Sequence, residues 1–182
     1  LALAAAGAGK AVFLEKPLGV DLTASANLVE SLQDAGVPAA VNFTQAAGAA
    51  LANISKAANN GTLGEICGID IIVTYESWPR GWQKQADWLK FRAEGGMTRE
   101  VLSHFLFFSE RLLGPLKVVF AHPSYPADCS LCETHLLARL ETPQQQAVSI
   151  LASVGGVQPD HQQVTIKGSN KSRRVSEFSL DM

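Results

Sequence analysis

Ala11-Val12-Phe13-Leu14-Glu15-Lys16-Pro17 is a short apolar run closed by a charged pair and a proline. It reads as a buried strand with a lysine at its carboxyl end. Upstream, Leu1 to Gly9 is rich in alanine and closes on Gly7-Ala8-Gly9, the pattern of a helix followed by a tight turn. Downstream, Asp21 is a good N-cap for a helix running to about Ala35, and Gly36 is a good stop. Leu22, Ala26, Val29 and Leu32 put an apolar stripe on that helix. Val37 to Phe43 then reads as a second buried parallel strand. Helix, strand, helix, strand is the tail of a doubly wound α/β domain.

The pattern changes after Phe43. A helix runs to Asn59-Asn60-Gly61, a strong terminator, and Gly64 to Ser77 holds a long strand with neither face strongly polar. An irregular aromatic stretch, Trp78 to Phe91, leads to Gly95-Gly96 and a helix. Four more strands are expected at Leu116–Ala121, Leu131–Glu141, Gln146–Gly155 and Gln162–Lys167, and a last one between Arg173 and Leu180. Thr142-Pro143-Gln144-Gln145 reads as a hairpin turn and Gly168-Ser169-Asn170-Lys171 as the next. The expected architecture is α+β: residues 1–42 form the last part of a doubly wound domain, and residues 43–182 build a large open, mainly antiparallel sheet with helices on one face.

The 182 residues include 47% hydrophobic and 18% charged side chains, ordinary for a globular protein. A net charge of -2 leaves no basic footprint for nucleic acid and no polybasic membrane patch. No apolar run approaches a transmembrane length. Three cysteines make an odd count, which argues against a disulfide framework and for a reducing, cytoplasmic setting. Cys129 and Cys132 have His122 and His135 nearby, but on a strand Cys132 and His135 point to opposite faces and no second cysteine pair exists. The expectation is a strand entrance, with no metal site.

Three groups of residues carry the chemistry. Lys16, at a strand end, stands where open α/β sheets bind ligands, and its ammonium can stabilise negative charge growing on a substrate oxygen. Glu100 and His104 are spaced i, i+4 and share a helix face. A histidine is suited to taking a hydroxyl proton near neutral pH. Trp78, Arg80, Trp82, Trp88 and Arg92 cluster between the long strand and the glycine pair. Aromatic faces stack on sugars and arginine can clamp an anion, though the same residues can equally cover one end of a sheet.

Leu1 to Pro17 with its Glu15-Lys16-Pro17, then Val41-Asn42-Phe43, Gly61 to Ile66 and Gly95 to Gly114 resemble, in order and spacing, the Gfo/Idh/MocA family, named for glucose-fructose oxidoreductase and inositol dehydrogenase. The resemblance implies a Rossmann domain for NAD or NADP and a second α/β domain that holds the substrate. It implies that Glu15, Lys16 and Pro17 border the cofactor and that Lys16 and His104 are the central catalytic pair, with Glu100 in support. It also implies that Trp78, Arg80, Trp82, Trp88 and Arg92 border the substrate. Three departures stand out: Glu100 where the family usually has Asp, Leu102 where it often has Gly, and Phe107 where it often has a second Asp.

No strand-to-helix turn carries a G-x-G-x-x-G. Gly7-Ala8-Gly9 follows a helix and precedes a strand, the reverse of what a pyrophosphate needs. The chain thus reads as a truncated member: the substrate-binding part of an NAD(P)-dependent oxidoreductase for a sugar, polyol or related hydroxy compound. By itself it is expected to bind no cofactor and to be inactive. It is expected to form a homo-oligomer, most simply a dimer, through the open sheet face. The alternative is a non-catalytic relative, or a module serving binding, regulation or association.

Overall fold

The computed structural model describes residues 1–44, 48–177 and 179–181. The chain divides into two compact units, Leu1–Thr44 and Gln45–Met182.

The first unit contains α1 (Ala2–Gly7), β1 (Val12–Glu15), α2 (Leu22–Asp34) and β2 (Ala39–Asn42). The strands pair in parallel, Val12 opposite Ala39 and Glu15 opposite Asn42. Parallel neighbours need a crossover, which α2 supplies. Its start is fixed by Asp21, whose carboxylate accepts from the Ala24 N–H at 2.6 Å. Its end is fixed by Gly36 at φ +62, a left-handed position that suits glycine. The core is small: Ala6, Val12 and Leu32 are buried, with Leu14, Leu28 and Val37 packed at its margin.

Two expectations change here. The stripe Leu22–Ala26–Val29–Leu32 does not act as a buried face, since Leu22 is 85% exposed and Val29 is also exposed; Leu28 and Leu32 face the sheet instead. Ala39 and Ala40 of β2 are exposed, not buried. A sheet of two strands cannot cover both of its own faces, so apolar residues patterned for a larger sheet stay in solvent.

The second unit begins with α3 (Ala49–Asn59) and β3 (Ile66–Tyr75). Short 3-10 turns follow at Gly81–Gln83 and Asp87–Lys90, then a π turn, Thr98–Leu102, running into α4 (Ser103–Leu113). The remaining strands are β4 (Lys117–Ser124), β5 (His135–Glu141), β6 (Ala147–Val154), β7 (His161–Gly168), β8 (Arg173–Ser176) and β9 (Ser179–Asp181). They form one seven-stranded sheet in the order β4-β5-β6-β3-β7-β8-β9. Among the described residues of this sheet, β3 and β6 pair in parallel and the other neighbours are antiparallel.

β3 is central because it is apolar on both alternation classes. Ile69, Ile71, Val73 and Tyr75 are wholly buried against the helices, and Asp70, Ile72 and Thr74 turn to the other face half-buried. The same alternation sends Leu136, Ala138 and Leu140 of β5 and Val148, Ile150 and Ala152 of β6 inward. Ile54 of α3 and Val101, Leu102, Phe105 and Phe108 of the α4 region complete this core. Each Val, Leu, Ile or Phe among them contributes about 1.5–3 kcal/mol by leaving water. On the outer face Leu137 stands opposite Leu151, and Leu151 opposite Ile72, an apolar row across three strands. Leu137 and Leu151 are about half exposed, at 52% and 51%.

The expected strand at Leu131 starts four residues later. Asp128 folds onto Ser130 in a local turn, Leu131 bridges to Phe91, and the Cys132 N–H donates to the Lys90 carbonyl at 2.8 Å. These backbone groups are satisfied by the loop after β3, so the β4–β5 ladder begins only at His135. The last expected strand is two, β8 and β9, which pair as a hairpin.

Candidate functional site

The candidate residues are divided between the two units, with Lys16 in the first and Glu100, His104 and the aromatic segment in the second.

In the first unit, Glu15 and Asn42 sit side by side at the carboxyl ends of β1 and β2, and the Asn42 amide donates to Glu15 Oε1 at 3.0 Å. This ties the two strand ends together where Lys16 leaves the sheet. Lys16 is half-buried and its bond to Pro17 is cis. The α2 N-terminus that follows is occupied by the chain's own carboxylate, Asp21, and the Ser25 hydroxyl donates to the Asp21 carbonyl. Among the described residues no glycine-rich strand-to-helix turn presents free N–H groups to a pyrophosphate; Gly9 lies between α1 and β1. The residues of this unit therefore do not fit as a dinucleotide cradle.

In the second unit, the glycine pair explains how the helical run bearing Glu100 and His104 is placed. A side chain on Gly95 would run into the Leu89 backbone, and one on Gly96 would come 2.7 Å from Glu133 Oε2. Gly96 also holds φ +102, a conformation other residues rarely adopt. The space is needed for Glu133, which is 8% exposed and whose Oε1 accepts from the Thr98 N–H at 2.6 Å. A buried carboxylate thus caps the N-terminal end of the helical run from far along the chain, where the helix dipole favours negative charge. Sequence reasoning missed Glu133, since no local pattern links it to Thr98.

Glu100 lies within the π turn and His104 in the first turn of α4. The path between them thus runs from a π turn, which is wider than an α turn, into the α-helix. His104 is buried and Glu100 half-buried.

The aromatic segment gathers around the end of β3. The Trp78 indole N–H donates to the Leu89 carbonyl at 2.9 Å, and its ring lies 5.8 Å from that of Tyr75. The Arg80 guanidinium packs against three rings, 5.1 Å from the Tyr75 centroid, 5.7 Å from Trp78 and 4.6 Å from Trp82. Arg80 Nε donates to Gln83 Oε1 at 3.0 Å, and Gln83 is itself buried. Tyr75 is wholly buried and its hydroxyl has no hydrogen-bond partner among the described residues. Burial pushes that hydroxyl far above the usual phenol range; Arg80 pulls it back, while Asp160, Glu177 and Glu100 push it further up. Tyr75 is therefore a neutral donor at any physiological pH, and Arg80 and Glu100 both act on the space around it. It too escaped the sequence reading, which did not single it out.

Trp88 lies in a 3-10 turn and is 41% exposed. Arg92 stacks over Tyr125 at 4.0 Å. Arg99 donates to the Gly95 carbonyl at 2.8 Å. Among the described residues no group of three or more His, Cys, Asp or Glu could hold a metal. Cys67 and Cys129 are exposed, while burial pushes the Cys132 thiol up to about 11. No helix among the described residues is long and apolar enough to cross a membrane.

An open mixed sheet, backed on one face by the helix after a glycine pair, defines the second domain of a two-domain dehydrogenase fold. It is the fold of the Gfo/Idh/MocA-type dehydrogenases that the sequence resembles. The chain is similar to the WlbA dehydrogenase from Bordetella pertussis in complex with NADH and UDP-GlcNAcA, with a TM-score of 0.83 and 24% identity, over 99% of this chain and 56% of that one. It is similar to a putative myo-inositol dehydrogenase from Sinorhizobium meliloti, with a TM-score of 0.79 and 22% identity, over 95% of this chain and 52% of that one. A third neighbour is a myo-inositol 2-dehydrogenase from Lactobacillus plantarum, with a TM-score of 0.80 and 18% identity, over 96% and 52%. The chain spans about half the length of the structures it matches. No family model matches the sequence, and no curated protein matches it.

Proposed function

We propose that this chain is the substrate-binding and assembly part of a Gfo/Idh/MocA-like NAD(P)-dependent oxidoreductase acting on a sugar, polyol or related hydroxy compound. The observation that carries this is the gathering of Tyr75, Trp78, Arg80 and Trp82 at one end of β3, with the charge of Glu100 acting on the Tyr75 hydroxyl. Aromatic faces for the apolar side of a sugar, with charged and hydroxyl groups beside them, suit a polyhydroxylated ligand. The likeness of the fold to sugar and inositol dehydrogenases supports the same reading.

In the whole protein a bound NAD or NADP would supply the hydride acceptor, and the residues of this chain would manage the rest of the oxidation. His104 takes the proton of the reacting hydroxyl. By the family resemblance, Lys16 would donate a hydrogen bond to a substrate oxygen and stabilise negative charge growing there. Glu100 orients the imidazole or the substrate. Residues 1–42 would belong to the cofactor domain, with Glu15, Lys16 and Pro17 at its edge, and residues 43–182 would hold the substrate. Since Leu1–Thr44 offers no pyrophosphate cradle, NADH binding to this chain alone is expected to be weaker than about 1 mM.

The outer sheet face would pair with a second copy through Phe120, Leu137 and Leu151, which are exposed and apolar. A non-catalytic role in binding or association keeps the same aromatic cluster and the same pairing without the proton transfer.

The test is tryptophan-indole NMR of the chain titrated with myo-inositol, D-glucose and D-glucuronate. Saturable shifts of the Trp78 and Trp82 indole signals with any one of them support substrate binding at this site. Unmoved signals with all three at tens of millimolar would sink it.

A further inference from the structure

We infer that Arg80 is a specificity-determining residue and that the substrate it selects is a sugar acid, bearing a carboxylate, in preference to a neutral sugar or polyol. This rests on the reading of the Tyr75–Trp82 cluster as the sugar site. An arginine in that position is unusual in how it is held. Its Nε is fixed by Gln83, a buried residue, and its planar face is packed by Tyr75, Trp78 and Trp82. That arrangement sets the orientation of the fork and leaves the terminal nitrogens without a hydrogen bond or a carboxylate partner among the described residues. A fixed guanidinium fork fits a carboxylate bidentately, and little side-chain freedom remains to be lost on binding.

Two further features belong to the same place. Trp82 is 75% exposed although it is stacked on Arg80, so one indole face stays open for a sugar ring. Tyr75 keeps a buried hydroxyl without a hydrogen-bond partner among the described residues, beside the guanidinium it stacks on. Nearby carboxylates limit the charge of the ligand. Glu177 Oε1 accepts from the Gln162 N–H at 2.7 Å and lies 3.5 Å from His161 Nδ1, and Asp160 Oδ1 accepts from the Glu76 N–H at 3.4 Å. Both are occupied, so neither neutralises Arg80 directly. Together with Glu100 they still repel anions, and they repel a phosphate dianion about twice as strongly as a carboxylate. One arginine in an acidic surround favours a monoanion.

The experiment titrates the whole chain with D-glucuronate, D-glucose and D-glucose 6-phosphate, following tryptophan fluorescence, for the native protein and for Arg80→Gln and Arg80→Lys. Glucuronate should bind about tenfold tighter than glucose. Arg80→Gln should remove that preference by weakening glucuronate about tenfold more than glucose, and Arg80→Lys should retain part of it. Should Arg80→Gln fail to fold, salt decides on the native chain: raising KCl to about 0.5 M should weaken glucuronate and spare glucose. Equal affinity for glucuronate and glucose, a preference that survives in Arg80→Gln, or salt-independent glucuronate binding overturns the role of Arg80 and leaves the sugar site standing. Tightest binding of glucose 6-phosphate overturns the carboxylate. Binding of none of the three overturns this inference and the proposed function together.

Discussion

The two units of the chain use the same kinds of residue and reach different ends. In Gln45–Met182 the apolar residues find partners: Ile69, Ile71 and Val73 on β3 and Phe105 and Phe108 on α4 are all 2% exposed or less. In Leu1–Thr44 comparable residues are left in water, with Phe13 at 71% and Leu22 at 85% exposed. An apolar groove of about 270 Å3 lined by Leu14, Leu18, Val29 and Val37 lies open on the first unit. The lesson is that a pattern of buried strand and amphipathic helix is a promise of layers, and a short α/β segment holds too few of them to keep it. The second unit buries a large core, and the first leaves much of its apolar surface in water.

The sharpest way to break this contrast is to cut the cores. Phe108→Ala should cost about 3–5 kcal/mol in urea unfolding, whereas Leu32→Ala should leave the main transition where it is. Equal shifts from both would mean that the two units unfold as one. Next comes the placement of the helix that carries His104. Gly96→Ala forces a side chain toward Glu133 at a left-handed φ and should cost about 2–3 kcal/mol. Glu133→Gln should cost about 1–2 kcal/mol through the weakened cap. A neutral Gly96→Ala would show that the glycine pair is not required by geometry.

The outer sheet face gives a change in mass with a small change in stability. Light scattering should read about twice the 19.4 kDa chain mass, and Leu151→Asp should return it to the monomer, with unfolding within about 1 kcal/mol of the parent. A native chain that stays monomeric at high micromolar concentration removes that role from the sheet. The smallest effect concerns the thiols. Burial favours the neutral form of Cys132 and raises it to about 11, so at pH 8 only about one thiol in a thousand is thiolate. Iodoacetamide at pH 8 should label the exposed Cys67 and Cys129 and spare Cys132 until denaturant is added. As pH climbs toward 11, charging of Cys132 should erode stability, because the unfolded chain gives up that proton earlier. Rapid labelling of all three thiols in the native chain would show that the segment before β5 opens freely.

Much of this was legible in the amino-acid order. Asp21 and Gly36 bounded α2 because capping and left-handed turns are local chemistry. Thr142 to Gln145 announced the β5–β6 hairpin for the same reason. Alternation is local as well, and it puts Leu136, Ala138 and Leu140 on one face of β5, but burial is what marks that face as the inner one. The family resemblance named Lys16, Glu100 and His104, and the aromatic run named Trp78, Arg80 and Trp82. Other features depended on residues far apart in the chain. Leu131 and Cys132 left the expected strand because Leu131 bridges to Phe91 and the Cys132 N–H donates to the Lys90 carbonyl. Glu133 reached the helix start at Thr98 across 35 residues. Tyr75 became part of the site only because β3 ends where the segment from Trp78 folds back over it. The sequence by itself determined where elements begin and end, since caps, turns and alternation act over a few residues. Only the tertiary structure decided which groups meet, because long-range pairing, burial and the field of distant charges exist only once the layers have closed.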